Sequence, residues 1–232
     1  MRLALIAMLL LLATGQARAE PPRPVVVELF TSQGCSSCPP ADALLRELAR
    51  NPTILPLAFH VTYWNNLGWR DPFALDAATD RQRAYQRSLR TDTIYTPQMV
   101  IEGQTDVIGS DRASVAAAIA SANTSNAVPL TITSSPQGLS VLVGAGQGEA
   151  RILLIGYDSL HKTAVARGEN AGRTLSEANI VRSLAVLGSW NGHAMTLSSG
   201  RPTSERAAVL LQAANGRILG AAIIDISPGV AG

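Results

Sequence analysis

The chain has 232 residues, 47% of them apolar, 16% charged and 4% aromatic, with 19 Lys and Arg against 17 Asp and Glu. That apolar share supports a substantial core and excludes a disordered or low-complexity chain. With only two cysteines, three positions apart, a disulfide-scaffold fold is excluded as well.

The first residues have the pattern of a targeting segment. Arg2 supplies a positive start, Leu3 to Thr14 is apolar, and Ala17-Arg18-Ala19 has the small-x-small pattern of a cleavage site. A signal peptide over 1–19 is expected, with an exported, periplasmic mature chain. The rival reading is an uncleaved anchor, but an apolar run of about a dozen residues is short of the roughly 20 that span a bilayer. No stable membrane insertion is therefore expected. Arg2 and Arg18 leave with the leader, so the mature chain balances at 17 basic and 17 acidic residues. It keeps no basic tail or stripe to suggest a nucleic-acid partner.

Val25 to Phe30 is a β-branched run that fits a buried strand, and Thr31 to Cys38 is a turn. Ala41, Leu44, Leu45 and Leu48 then fall on one helical face. Asn51-Pro52 ends that helix, and Ile54 to Val61 is a second strand, which implies a parallel crossover. Gln98–Ile101 and Asp106–Gly109 are short strands, followed by a helix capped at Ser110 or Asp111 with Val115, Ala118, Ile119 and Ala122 on its apolar stripe.

Between these halves lies an expected insertion, 63–90, rich in aromatics and arginines. There Asp71-Pro72 has the form of an N-cap and first residue of a helix. Trp64, Trp69 and Phe73 form a substrate platform, a cover over the disulfide, or the insertion's own small core. Arginines 70, 81, 83, 87 and 90 are expected on a solvated helix face.

Residues 121–127 are small and polar and suit a linker. Beyond it, short strands are expected at Leu130–Thr133, Leu139–Val143, Arg151–Tyr157, Thr163–Ala166, Ile180–Leu187, Ala194–Leu197, Ala207–Gln212 and Ile218–Ile224, separated by turn signals such as Asn191-Gly192 and Asn215-Gly216. The expected fold class is an α/β thioredoxin-like N-terminal domain over 20–123 with an inserted helical segment. An all-β antiparallel sandwich-like domain over 127–232 is expected to follow it.

The chemistry centres on Cys35 and Cys38, between a strand and a helix. At a helix N-terminus, free N–H groups and the helix dipole favour a thiolate. Cys35, the outer residue, is expected to attack and to be more accessible than Cys38 in the reduced protein, and Cys38 to resolve the mixed disulfide. Ser36-Ser37 brings no positive charge, so a strongly oxidising site is not expected. Thr96-Pro97 precedes the third strand, where an X-Pro bond is a candidate cis peptide. There the Thr96 backbone would face the sulfurs and pair with a substrate.

Other groups stand as candidates beside the cysteines. His60 stands at the same sheet edge, either buried and hydrogen-bonded or tuning the thiolate. Zinc is not expected, because no second Cys pair exists and His60, His161 and His193 lack the spacing. No cofactor is expected: no glycine-rich phosphate loop occurs, and Lys162, the sole lysine, follows His161. Arg167-Gly168-Glu169-Asn170-Ala171-Gly172-Arg173 is a polar loop, either a structural turn or an interdomain latch.

The strand, Cys35-x-x-Cys38, helix and Thr96-Pro97-strand resemble the thioredoxin superfamily over roughly 24–122. More narrowly the chain resembles the secreted family catalogued as domain of unknown function 1223. The resemblance rests on residues 27–42, on His60-Val61, Tyr63-Trp64, Leu67-Gly68-Trp69, Asp71-Pro72-Phe73 and Tyr95-Thr96-Pro97-Gln98, and later on 167–170, Gly172-Arg173 and Val181-Arg182. It departs at Thr62 and Asn65, where the family carries aspartate. If those acids assist proton transfer from the buried cysteine, this chain should do so less well.

The expected function is a thiol–disulfide oxidoreductase acting on a protein or small thiol/disulfide substrate. The alternatives are a non-catalytic binding module braced by a static disulfide, and a copper-handling protein using Cys35, Cys38 and His60.

Overall fold

The computed structural model describes residues 23–226, so the expected signal peptide at 1–19 lies outside the described residues. Within them the chain forms eleven strands and three helices. The N-terminal part comprises β1 (Val25–Thr31), α1 (Pro39–Leu48), β2 (Ile54–His60), α2 (Asp76–Leu89), β3 (Gln98–Ile101), β4 (Thr105–Ile108) and α3 (Arg112–Ser121). The remainder is β5 (Leu130–Ser135), β6 (Gly138–Val143), β7 (Ala150–Ala164), β8 (Thr174–Trp190), β9 (Met195–Ser199), β10 (Arg206–Gln212) and β11 (Ile218–Asp225).

Eight strands form one mixed sheet in the order β11-β10-β7-β8-β2-β1-β3-β4, and β5-β6-β9 form a second, antiparallel sheet. This corrects the expectation of a thioredoxin-like α/β domain with a helical insertion, followed by an all-β sandwich-like domain. The large sheet runs from β4 to β11 through strands on both sides of residues 121–127, because β8 lies parallel to β2 with Ala58 opposite Ile180. Pro56 has no N–H to give a ladder. Next to it, Asn179 holds a positive φ of 50° and its side-chain amide donates to the Pro56 carbonyl at 2.8 Å. A side chain thus supplies a cross-strand bond at this junction.

Strand alternation divides the core. Val26 and Phe30 of β1, Leu55, Leu57 and Phe59 of β2, and Leu153, Ile155 and Tyr157 of β7 share one face with Ala78 and Tyr85 of α2. On the other face, Val27, Leu29 and Ala58 pack under α1 and α3. Farther along that same face, Ile152, Leu154, Val209 and Leu211 pack against β6 through Leu139, Val141 and Val143.

Helix α2 is not an appendage. Asp71 does not open it, since the helix begins at Asp76 with Leu75 as N-cap. Nor is its arginine face uniformly solvated. Arg81 is buried and donates Nη2 to Glu28 Oε1 at 2.7 Å, while its Nε pairs with Glu28 Oε2. Tyr85 Oη donates to Glu28 at 2.6 Å, and Gln212 from β10 donates to Tyr85 Oη at 2.9 Å. Every carboxylate oxygen of Glu28 is therefore satisfied in the middle of β1.

A lone buried carboxylate costs far more than the pair it came from. Arg81→Leu is expected to lower unfolding free energy by about 3–5 kcal/mol, whereas Glu28→Leu with Arg81→Met recovers most of that loss. Urea unfolding of the two variants checks it.

Candidate functional site

Cys35 and Cys38 form a disulfide at the start of α1. Cys38 is the N-cap, and Pro39 and Pro40 fill the first turn, where no N–H is needed. Cys38 N–H donates to Cys35 O at 3.2 Å, which closes the turn. In this oxidised form both cysteines are 0% exposed. The connection between β7 and β8 bonds to the backbone of the cysteine loop. Asn170, itself buried, donates its amide to Gln33 O at 3.0 Å and to Cys35 O at 2.9 Å. Glu169 accepts from Ser36 N–H at 3.0 Å.

The Thr96–Pro97 peptide bond is cis. Trp64 Nε1 donates to Thr96 Oγ1 at 2.8 Å, and a Cβ placed on Gly34 would lie 3.1 Å from Trp64 Cβ. Trp64 thus bridges the Thr96 loop and the cysteine loop. Trp69 Nε1 donates to Gln33 Oε1 at 3.1 Å. Both tryptophans are partly buried and brace the site through their ring nitrogens. Phe73 is buried, edge-on to His60 at 5.5 Å and beneath the Arg182 guanidinium at 5.0 Å, so it packs rather than presenting a surface.

Bonded to Thr31 and Gln33, just before the cysteines, is a buried polar cluster drawn from five segments. His60, at the end of β2 opposite Thr31, bonds through Nδ1 to Asp71 at 2.8 Å. Asp71 also accepts from Gln33 N–H at 2.8 Å and Phe73 N–H at 2.9 Å. Gln33 Nε2 donates to Glu177 Oε2, on β8, at 2.7 Å. Thr31 Oγ1 donates to Asp42, on α1, at 2.8 Å. His60 Nε2 and Glu177 Oε1 face each other at 3.9 Å, and neither has a hydrogen-bond partner among the described residues.

Of the residues singled out in the sequence, Cys35 and Cys38 form the disulfide, His60 lies in the buried cluster and Thr96 bonds to Trp64, whereas Asp42, Glu177 and the bond of Asp71 to His60 were not anticipated. The available signal for Asp42 was its position four residues after Cys38, one turn along the same helix face. Thr62 and Asn65, the departures from the family pattern, are occupied locally. Thr62 N–H donates to Thr79 Oγ1, and Asn65 Oδ1 accepts from Asp71 N–H. They line a polar cleft of about 1160 Å³ with Tyr63, Arg70 and Asp71. Among the described residues, no group of three or more His, Cys, Asp or Glu side chains is arranged to hold a metal ion, and no helix is long and apolar enough to cross a membrane.

The cluster shares its protons unevenly. Burial, reinforced by Glu177, pushes Asp42 up from 3.8 to about 7. Burial by itself would lower His60, but the charge and hydrogen bond of Asp71 raise it from 6.5 to about 9. Burial also opposes ionisation of Asp71, yet His60 holds it below the usual carboxylate range. Burial raises Glu177.

Folded Asp42 keeps its proton up to about 7, while the unfolded chain releases it near 3.8, so stability falls as pH rises across that interval. His60 adds stability that is complete below 6.5 and lost as pH rises through about 9. Urea midpoints measured from pH 4 to 9 are expected to decline throughout. In Asp42→Asn the decline below pH 7 should shrink and the decline above it persist.

Among solved structures, a crystal structure of a protein from Agrobacterium tumefaciens is 32% identical, with a TM-score of 0.79 over 90% of this chain and 97% of that one. HBP35 of Porphyromonas gingivalis is 11% identical, with a TM-score of 0.59 over 91% of this chain and 78% of that one, a likeness of fold alone. No curated protein matches the chain. The family model described as "Protein of unknown function (DUF1223)" matches residues 26–212, and the chain belongs to that family.

Proposed function

We propose that the protein is a thiol–disulfide oxidoreductase that acts outside the cytoplasm on a protein or small thiol substrate. The observation that carries this reading is the pairing of a helix-capping disulfide with buried, shareable protons. Asp42 lies one turn along α1 from Cys38, and Asp42, Glu177, His60 and Asp71 form one buried titrating group. Packing alone would favour apolar residues at these positions, since buried charges carry a large desolvation cost.

In the oxidising direction a substrate thiolate attacks Cys35 Sγ and the Cys35–Cys38 bond breaks. Cys38 leaves as a thiolate and takes a proton from the Asp42 carboxyl. A second substrate thiolate then attacks the substrate sulfur of the mixed disulfide and releases Cys35, which takes up a proton in turn. The substrate dithiol loses two electrons and two protons and becomes a disulfide, and the protein gains both as a dithiol. The reverse sequence reduces a substrate disulfide.

The second reading, a static brace beneath a binding surface, is favoured by the complete burial of both cysteines. Equilibration in glutathione buffers separates the two. An exchanging pair becomes reduced within the glutathione range, and a brace stays oxidised below about −300 mV.

Two variants test the residue roles. Cys38→Ser is expected to accumulate mixed disulfides on Cys35, visible as heavier species on non-reducing gels. Asp42→Asn is expected to slow exchange by a factor on the order of 10² or less and to flatten its pH dependence near 7, because general acid assistance is lost. An unchanged stopped-flow profile in Asp42→Asn would remove Asp42 from the mechanism.

A further inference from the structure

We infer that the β7–β8 tip, residues 165–173, is a built-in cover that must lift before any thiol reaches Cys35, with Asn170 as its latch. The inference deepens the oxidoreductase reading and rests on it for its biological meaning. Its physical basis is separate.

In-line attack on a disulfide needs a free approach to one sulfur. Neither cysteine offers one, since both are 0% exposed. One short segment, 165–173, makes three hydrogen bonds to the backbone of the cysteine loop. Asn170 spends both of its amide hydrogens on carbonyls of the cysteine loop, Gln33 O and Cys35 O. Glu169 takes the Ser36 N–H. The approach is close at a glycine pair too: a Cβ on Gly68 would meet Gly168 Cα at 3.4 Å, and one on Gly168 would meet Trp69 Cβ at 3.0 Å.

The tip can leave as a unit. Its internal bonds, Gly172 N–H to Val165 O and Arg173 N–H to Asn170 O, are its own. The β7–β8 ladder ends at Ala164 opposite Thr174, just below it. Lifting the tip therefore costs the contacts with the cysteine loop and the packing of Gly168 on Gly68 and Trp69, and no β7–β8 ladder bond. Asn170 is placed to dominate that cost, because its two bonds are buried while that of Glu169 is exposed.

The test is the rate at which dithiothreitol reduces the native protein, followed by alkylation and gel shift. Dithiothreitol gives up two electrons and two protons to become a cyclic disulfide, and Cys35–Cys38 becomes a dithiol. Asn170→Ala is expected to react at least about tenfold faster than the parent chain, as the loss of two buried hydrogen bonds implies. Glu169→Gln, an exposed change that leaves the fold intact, should react a few-fold faster. Circular dichroism establishes that each variant is folded at the assay temperature.

Rates within twofold of the parent in the folded variants overturn the cover. A glutathione titration run in parallel keeps the two readings apart. Variants that react faster with dithiothreitol while glutathione leaves the pair oxidised would sustain the cover and defeat the oxidoreductase. Reduction by glutathione at an unchanged variant rate would do the opposite.

Discussion

The placement of β8 against β2 is the constraint on which the rest of the structure depends. A parallel strand cannot be reached by a hairpin and needs a long connection. Here everything from α2 to β7 serves as that connection. The junction is sparse, a pairing at Ala58 and Ile180 with the Asn179 amide standing in beside Pro56. It nevertheless decides the site, because it brings Glu177 within 3.9 Å of His60 and lays Asn170 over the cysteine loop. Arg46 of α1 adds a bond to Ser176 O at 2.8 Å and ties the first turns of β8 to the helix that bears Cys38.

Local structure near the cysteines was legible because propensity and environment agree there. The β-branched run at Val25–Phe30, the i, i+3, i+4, i+7 stripe of α1 and the Asp111 cap, whose carboxylate accepts from Ala113 and Ser114, are each read from a few neighbouring residues. The merging of two textures into one sheet was not legible, because strand neighbours are set by contacts more than a hundred residues apart.

The long strands were hidden for a different reason. The far ends of β7 and β8 leave the core, so exposed polar residues such as Ser159 and Lys162 interrupt the apolar pattern within one continuous ladder. That is why Arg151–Tyr157 and Thr163–Ala166 read as two strands. Asp71 misled in its own way. Asp-Pro is a sound helix-opening signal, but this aspartate is engaged by His60 and Gln33, and the helix starts five residues later.

Two buried polar networks occupy opposite faces of the same strand pair, and their difference separates architecture from chemistry. Alternation sends Glu28 to the α2 face, where Arg81, Tyr85 and Gln212 close every bond. A network satisfied in that way specifies one packing. Alternation sends Thr31 and His60 to the α1 face, toward the disulfide. There the network stays incomplete: among the described residues His60 Nε2 and Glu177 Oε1 face each other at 3.9 Å without a hydrogen bond, and burial pushes Asp42 up to about 7. An unsatisfied buried pair destabilises the fold wherever it sits. Its position at the sulfur end of the sheet, under a cover borne by the same hairpin that supplies Glu177, is what proton-coupled exchange at Cys38 would require.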